Sequence, residues 1–389
     1  MRHKNPSSTL VLLSVGLILA LFLVACGGAA PAQPTAAPAA PKAAAPTAAP
    51  AAPAAPTAAA AAPVAGQKTW KDLKLQHYDV PSDTAARWNV IARWAKKVEE
   101  LTNGRVTFKI YPQDELAKVA EMPGAAAKGT IDAYVTNEFY HTNVHPWLGW
   151  TFLPGSVDAS KWDTDFIKLM NGGIWNIMDR EFAKVGLKQA LPFNGGPIFA
   201  FAMRGDYIKE AATAKGRKIR GAGGGTSELI KLMGGSVVSI AGPEVLPSLS
   251  SGVIDGALTS IDLGVYSWKW YEVAPYVSYF PSFPMNSWNV PVVMRKAIWD
   301  EFDEPVKKAF QDAAVQMQPV AAELVKKDTQ WALDGLKKDN KIATWIGPDE
   351  VSQQYDKLAR QPLREWWLKQ AGDSGKEIIT IIDKFYGRN

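Results

Sequence analysis

KGRKIRGAGGGTSELIKLMGG, residues 215–235, decides the fold. Lys218-Ile219-Arg220 is short and half apolar, like a strand entering a lobe. A glycine-rich turn, Gly221-Ala222-Gly223-Gly224-Gly225, follows it, and helical spacing starts at Thr226. There the hydroxyl of Thr226 or Ser227 can accept a bond from an otherwise orphan N–H of the first turn. Strand, glycine turn and helix form the repeating unit of an open α/β sheet, which places ligands at the carboxyl ends of its strands. Arg220 stands at such an end. Its guanidinium is planar, permanently charged, and grips a carboxylate through two parallel bonds. A phosphate cradle is the competing use of the glycines. The P-loop pattern needs a lysine that is absent here, and the dinucleotide spacing, met at Gly221 and Gly223, fits only if its last glycine is waived. Close approach of backbone to a small anionic ligand is the expectation.

Two further stretches echo each other. Gly129-Thr130-Ile131-Asp132-Ala133-Tyr134 and Gly252-Val253-Ile254-Asp255-Gly256-Ala257 each close a helix, turn, and open a strand. The glycine suits a left-handed C-cap, and the aspartate suits turn amides better than a ligand. A paired unit of this kind predicts two similar α/β lobes with a cleft between them.

In the first lobe, strands are expected at 74–78 and 106–111. Between them Ala85, Trp88, Ile91, Ala92, Ala95 and Val98 recur at helical spacing behind a cap at Ser82 or Asp83. Another helix is read from Pro112 to a stop at Gly129. Residues 134–150 are aromatic and polar without a period, which suggests a cleft loop offering Asn137, Tyr140, His141 and Trp147 to a ligand. Residues 166–182 return to helical spacing, and 185–193 should cross between lobes. Asn194 and Arg204 flank the strand expected at 198–203 and are the next ligand candidates after Arg220. Thr259 and Ser260 offer hydroxyls. Trp268, Trp270 and Tyr271 follow, with Trp268 and Tyr271 able to share a face. The proline-broken loop 279–288 contributes Asn286 and Trp288. Residues 305–338 form one long helical pattern, with another helix in 345–367 and a docking tail at 376–386.

Composition excludes several classes. With 47% hydrophobic and 21% charged residues the chain is globular, and a net charge of +5 without a dense basic run gives no case for nucleic acid. Fifteen tryptophans and eleven tyrosines can line a cleft while keeping polar handles. The single cysteine, Cys26, excludes an internal disulfide and a cysteine metal site. His141 and His145 are four apart, but no acidic residue lies between them and Pro146 follows, so no metal is assigned. No cofactor is expected.

The N-terminus reads as an export leader. Arg2 and Lys4 precede an apolar run over 10–24, too short for a span. Leu23-Val24-Ala25-Cys26-Gly27 resembles a bacterial lipobox, which implies diacylation of Cys26 and a membrane anchor. Residues 27–66 are almost all alanine and proline, an extended spacer reaching on the order of 100 Å. The expected domains are a signal peptide (1–25), a lipidated cysteine with its linker (26–68), mostly lobe 1 (69–197), mostly lobe 2 (198–300), and helices bracing both lobes (301–389).

An ordered set of short matches identifies the family. Lys215-Gly216, Lys218-Ile219-Arg220, Gly234-Gly235, Glu244-Val245, Leu249, Gly252 with Asp255-Gly256, and Lys269-Trp270-Tyr271-Glu272-Val273 resemble, in order, the signature of the DctP-like solute-binding proteins of TRAP transporters. The resemblance runs from Leu73 to about Trp367. It implies an α/β, two-lobed periplasmic-binding-protein-like fold (type II-like), a ligand cleft between the lobes, and long bracing helices. It also implies that Arg220 clamps a substrate carboxylate and that the protein hands its solute to TRAP membrane permease subunits outside the cytoplasm. The substrate expected is a small 2-oxo, hydroxy or dicarboxylic acid, with sugar acids possible. After Gly256 the family match is lost, and with it substrate identity. A binding lipoprotein of an ABC importer is the alternative. A secreted α/β hydrolase or lyase ranks lower, because GxSxG, HExxH and a reactive cysteine are all missing; an enzyme is not expected.

Overall fold

The structure, a computed structural model, describes residues 66–388 apart from 83–84, 198, 284, 286 and 340–342. The leader, Cys26, most of the spacer, Asp83 and Asn286 lie outside the described residues. Its strands are β1 (Trp70–His77), β2 (Val106–Tyr111), β3 (Ala133–Val135), β4 (Leu187–Leu191), β5 (Ala200–Met203), β6 (Lys218–Gly221), β7 (Ser236–Ser239), β8 (Gly256–Thr259), β9 (Tyr276–Tyr279), β10 (Val292–Arg295) and β11 (Ala343–Ile346). Its α-helices are α1 (Ala86–Leu101), α2 (Met122–Ala127), α3 (Trp162–Leu169), α4 (Trp175–Lys184), α5 (Gly224–Leu232), α6 (Gly242–Ser251), α7 (Lys296–Glu301), α8 (Glu304–Lys338) and α9 (Asp349–Phe385).

The strands sort into two sheets, one per lobe, in the orders β2-β1-β3-β10-β4 and β11-β9-β5-β8-β6-β7. β1 is parallel to β2 and β3, while β10 runs antiparallel between β3 and β4. In the second lobe β6 is parallel to β7 and β8, and β5 is antiparallel to β8 and β9. Residues 187–191, expected to cross, complete the first sheet; β10 returns to that sheet, and β11 pairs with β9 in the second. Residues 192–199 lead from the first sheet to β5 and residues 280–291 from β9 back to β10, and α8 later carries the chain to β11. The first two segments lie side by side, antiparallel: the Val290 N–H donates to Phe193 O (2.9 Å) and the Gly195 N–H to Trp288 O (2.8 Å). The long helix α8 packs on α1 in the first lobe and on the turn Ile261–Ser267 in the second. α9, broken at Gly372 (φ 60°), packs on both α4 and α5.

The core of the first lobe follows from the period of α1. Val90, Ile91, Trp94 and Val98 share its buried face, and the Trp94 ring meets Phe108 of β2 (5.2 Å) and Phe310 of α8 (5.8 Å). Each such side chain, fully buried, contributes about 1.5–3 kcal/mol. The duplicated units are geometrically equivalent. Asp132 accepts from the Lys74 N–H (2.8 Å), Asp255 from the Lys218 N–H (2.7 Å), and each returns its own N–H to the same residue's carbonyl. Gly129 (φ 78°) and Gly252 (φ 75°) are left-handed, as the helix stops require. The aspartates thus tie their turns to a neighbouring strand, in the middle of β1 and at the start of β6.

Two local expectations change. The helix read from Pro112 is a loop until the turn Val119–Glu121, because buried Gln76 takes over its backbone bonds: Oε1 accepts from the Leu116 N–H (2.8 Å) and Nε2 donates to Tyr111 O (3.1 Å). At the start of α1, Ser82 accepts from the Ala85 N–H (3.1 Å), but the first helical N–H, of Ala86, goes to Asp328 of α8 (3.1 Å). A remote carboxylate supplies part of the cap.

Two buried histidines shape stability in acid. Burial pushes His77 down to about 3 and His141 to about 4, against an unfolded value near 6.5. Each stays neutral when folded while the unfolded chain gains a proton. Their contribution is therefore full above pH 6.5 and is lost as pH falls toward 4, at about 3 kcal/mol each. The buried carboxyls of Asp79, Glu138 and Asp328 are pushed up by burial and act oppositely, their cost building as pH rises from the ordinary carboxylate range. His141→Gln should flatten the acid limb of urea-denaturation stability between pH 6.5 and 4 by about 3 kcal/mol; an unchanged limb would show that His141 does not titrate there.

Candidate functional site

β6 ends at the lobe interface, and its alternation turns Ile219 into one layer and Arg220 into the cleft. Arg220 is 3% exposed. Its Nε donates to Ile240 O (3.1 Å), Nη1 to Leu258 O (3.3 Å) and Nη2 to the Tyr140 hydroxyl (3.4 Å), and its plane lies 5.6 Å from the Trp270 ring. All three acceptors are neutral. Burial pulls its pKa below the usual guanidinium value, partly offset by Tyr140. Among the described residues no carboxylate pairs with it.

Around Arg220 is a small chamber of about 20 Å3, roughly the room for one or two waters. Leu258, Thr259, Ser260, Leu263, Trp268 and Trp270 wall it from the second lobe. Asn137, Phe139 and Tyr140 close it from the first lobe, and Trp288 from the crossing segment. Phe139, Tyr140 and Ala222 also line a larger cleft of about 660 Å3. Tyr140 ties the lobes, since its hydroxyl also accepts from the Gly242 N–H (3.2 Å). The conformation is closed.

Of the residues expected at the site, Arg220, Tyr140, Asn137, Thr259, Trp268 and Trp288 are brought together at this chamber. Asn286 lies outside the described residues. Arg204 is exposed beyond the carboxyl end of β5, at the opposite end of the second sheet's strands from Thr259, where it lines an open hollow with Arg217 and Asp255. The reason is strand direction: β5 runs antiparallel to β8, so its carboxyl end points away from the end that carries Thr259. Asn194 is buried in the crossing segment, donating to Trp162 O (3.0 Å) and Ser287 Oγ (2.8 Å) and accepting from the Gly196 N–H (2.9 Å). Its hydrogen-bonding capacity is spent on the crossing and it does not line the chamber. His141 Nε2 donates to Val119 O (2.7 Å), Trp147 packs 4.7 Å from Phe182, and Tyr271 stacks on Tyr266.

The glycine run serves lobe contact. A Cβ on Gly223 (φ 119°) would sit 2.7 Å from Phe139 O, on Gly224 2.8 Å from Thr142 Oγ1, and on Gly225 2.8 Å from Phe152 Cβ. The close approach expected of these residues is therefore to first-lobe backbone and side chains. Gly223→Ala should penalise the closed form by about 1–3 kcal/mol, weakening ligand binding roughly 10-fold or more. Titration calorimetry checks this; an unchanged affinity would mean that closure does not need the contact.

Behind the chamber lies a second buried arginine that the sequence reading passed over. Arg87, 1% exposed on α1, donates to Asp262 Oδ2 (2.7 Å) and Gly195 O (2.8 Å), with Asp328 at 3.7 Å. Burial opposes its charge, but Asp262, Tyr78 and Asp328 outweigh it and hold the pKa above the usual guanidinium value. Its plane lies 4.7 Å from the Trp288 ring, whose other neighbour is Phe139, stacked at 5.0 Å. One signal could have revealed it. A cation in the first turn of a helix opposes the macrodipole, so its charge must answer something else.

Comparison with known proteins fits this architecture. A 2,3-diketo-L-gulonate-binding periplasmic protein of Escherichia coli is 24% identical over 295 residues, 74% of this chain and 84% of its own. A TRAP periplasmic solute-binding protein of Desulfovibrio salexigens, solved with orotic acid, superposes with a TM-score of 0.73 at 22% identity over 82% of this chain and 99% of its own. One from Rhodoferax ferrireducens, solved with malonate, gives 0.73 at 21% identity over the same shares. These are substrate-binding proteins of transport systems, not enzymes, and among the described residues no helix is long and apolar enough to cross a membrane. Residues 78–369 match the bacterial extracellular solute-binding proteins of family 7, and the chain belongs to that DctP-like family.

Proposed function

We propose that this protein captures a small organic acid outside the cytoplasm, holds its carboxylate on Arg220, and delivers it to a TRAP-type membrane permease. One observation carries the reading: a guanidinium buried in an interlobe chamber with three neutral acceptors and, among the described residues, no counter-ion. A buried charge of this kind costs stability unless a partner arrives. A carboxylate is the partner whose geometry fits the fork. The reading gains support from relatives whose ligands, orotic acid, malonate and 2,3-diketo-L-gulonate, are all acids. Thr259, Ser260 and Asn137 stand ready to bond oxo or hydroxyl groups, and Trp268, Trp270 and Trp288 to cover an apolar part. A thermal-shift screen of 2-oxo, hydroxy and dicarboxylic acids, followed by calorimetry on the hits, tests it. Tight binding of a neutral solute in preference to every acid would refute it.

Anchorage belongs to the same proposal. The lipobox-like Leu23-Val24-Ala25-Cys26 and the spacer after it point to a diacylated Cys26 that tethers the lobes to a membrane. Mass spectrometry of the mature N-terminus should show an acylated cysteine; an unmodified Cys26 in an uncleaved chain would refute the tether.

A further inference from the structure

We infer that the site selects acids bearing a single negative charge and discriminates against dianions. This rests on the reading that Arg220 takes the carboxylate. Among the described residues that line the inner chamber, Arg220 is the one cation. The chamber's room of about 20 Å3 suits one carboxylate head, so the body of the acid must lie over Phe139, Tyr140 and Ala222, toward the cleft. That cleft offers a second carboxylate little. Its charged lining consists of Lys118 and Lys231 against Asp114, Glu228 and Glu244. Lys231 is already held by Glu228 at 2.9 Å. The other buried cation nearby, Arg87, stands behind Trp288 and is answered by Asp262 at 2.7 Å and Asp328 at 3.7 Å. A dianion would therefore bring one charge to Arg220 and leave the other facing aromatic walls or a cleft with an excess of carboxylates. An uncompensated charge in a closed site weakens binding by about 100-fold or more.

The selection acts by charge, so size must be held constant in the test. Calorimetry at pH 7.5 would compare succinate with succinamate, glutarate with glutaramate, and phthalate with phthalamate, each a dianion against its near-isosteric monoamide, on wild type and on Arg220→Ala. The expected result is that the singly charged member of each binding pair is favoured by about 100-fold or more, and that succinate tightens as pH falls and its second carboxyl takes a proton. Dianions that bind as tightly as their singly charged partners, with both lost in Arg220→Ala, overturn the selectivity and leave the Arg220 clamp standing. Binding that survives Arg220→Ala unchanged, or no binding by any member of the panel, overturns the clamp itself.

Discussion

Replacing Arg220 with alanine should weaken acid binding by about 2–5 kcal/mol, roughly 30-fold to several thousand-fold. Lysine at the same place should lose less but still lose substantially. It keeps a charge, but as a point donor it cannot reproduce two parallel bonds. Nor can it reach Ile240 O, Leu258 O and the Tyr140 hydroxyl together, which now fix the guanidinium plane. The same geometry predicts an opposite effect on the empty protein. Arg220 is buried with no carboxylate partner among the described residues, so Arg220→Met removes a desolvated charge while keeping apolar volume. Its thermal midpoint without ligand should equal or exceed that of wild type, and the midpoint should no longer rise when acid is added. A variant that folds normally and shows the wild-type ligand shift would remove Arg220 from the site.

Arg87→Ala should cost about 3–5 kcal/mol of stability, because it strands Asp262 and Asp328 as buried carboxylates. The direction with pH follows from their charge. Asp328 is already pushed up by burial and by Asp262, with Arg87 as its counterweight. Without the guanidinium the Asp328 carboxyl should be pushed up further and hold its proton to higher pH when folded than when unfolded. A raised carboxyl costs nothing below its unfolded value, and the cost builds as pH rises through the folded one. The deficit of Arg87→Ala should therefore be small near pH 4 and grow toward pH 8, and Asp328→Asn beside it should recover part of the loss. Urea denaturation at several pH values measures this. A deficit that is flat with pH would mean that lost packing on Trp288, not stranded charge, is the cause. Arg87 also joins the lobes, so the variant should populate open forms more, seen as a larger scattering radius.

Local pattern was enough for the elements whose side chains answer to nearby residues. VTFKIY alternates and is β2 over the residues expected; the period of Ala85, Ile91, Ala95 and Val98 places α1; the paired Gly-x-Ile-Asp units share their hydrogen bonds one for one. Arg220 was legible because a strand, a glycine turn and the family pattern coincide on it. What failed was long-range. The side of the sheet on which Arg204 emerges depends on whether β5 runs with or against β8, and no residue near 204 encodes that. The helix expected from Pro112 is unmade by Gln76, about forty positions earlier, and the cap of α1 comes in part from Asp328. Asn194 has the right chemistry for a ligand, but Trp162, Ser287 and Gly196 use all of it. Glycine-rich turns look alike whether a ligand or a neighbouring lobe comes close; only the position of Phe139 O, Thr142 and Phe152 tells which.

The interleaving of the two sheets governs how this chain can be assembled. β10 must slot between β3 and β4, more than a hundred residues behind it in the case of β3, and β11 must add itself to β9 after the whole of α8. Neither sheet is finished until most of the polypeptide exists. Long-range pairing of this sort is slow, because loop closure comes before the contacts that reward it. A nascent chain halted near residue 280 would hold a first sheet divided at its middle, with the edges of β3 and β4 unpaired and open to other chains. The two halves of the clamp consequently share one birth: a lesion in β10 should deny the ligand chamber its far wall before Arg220 ever meets an acid.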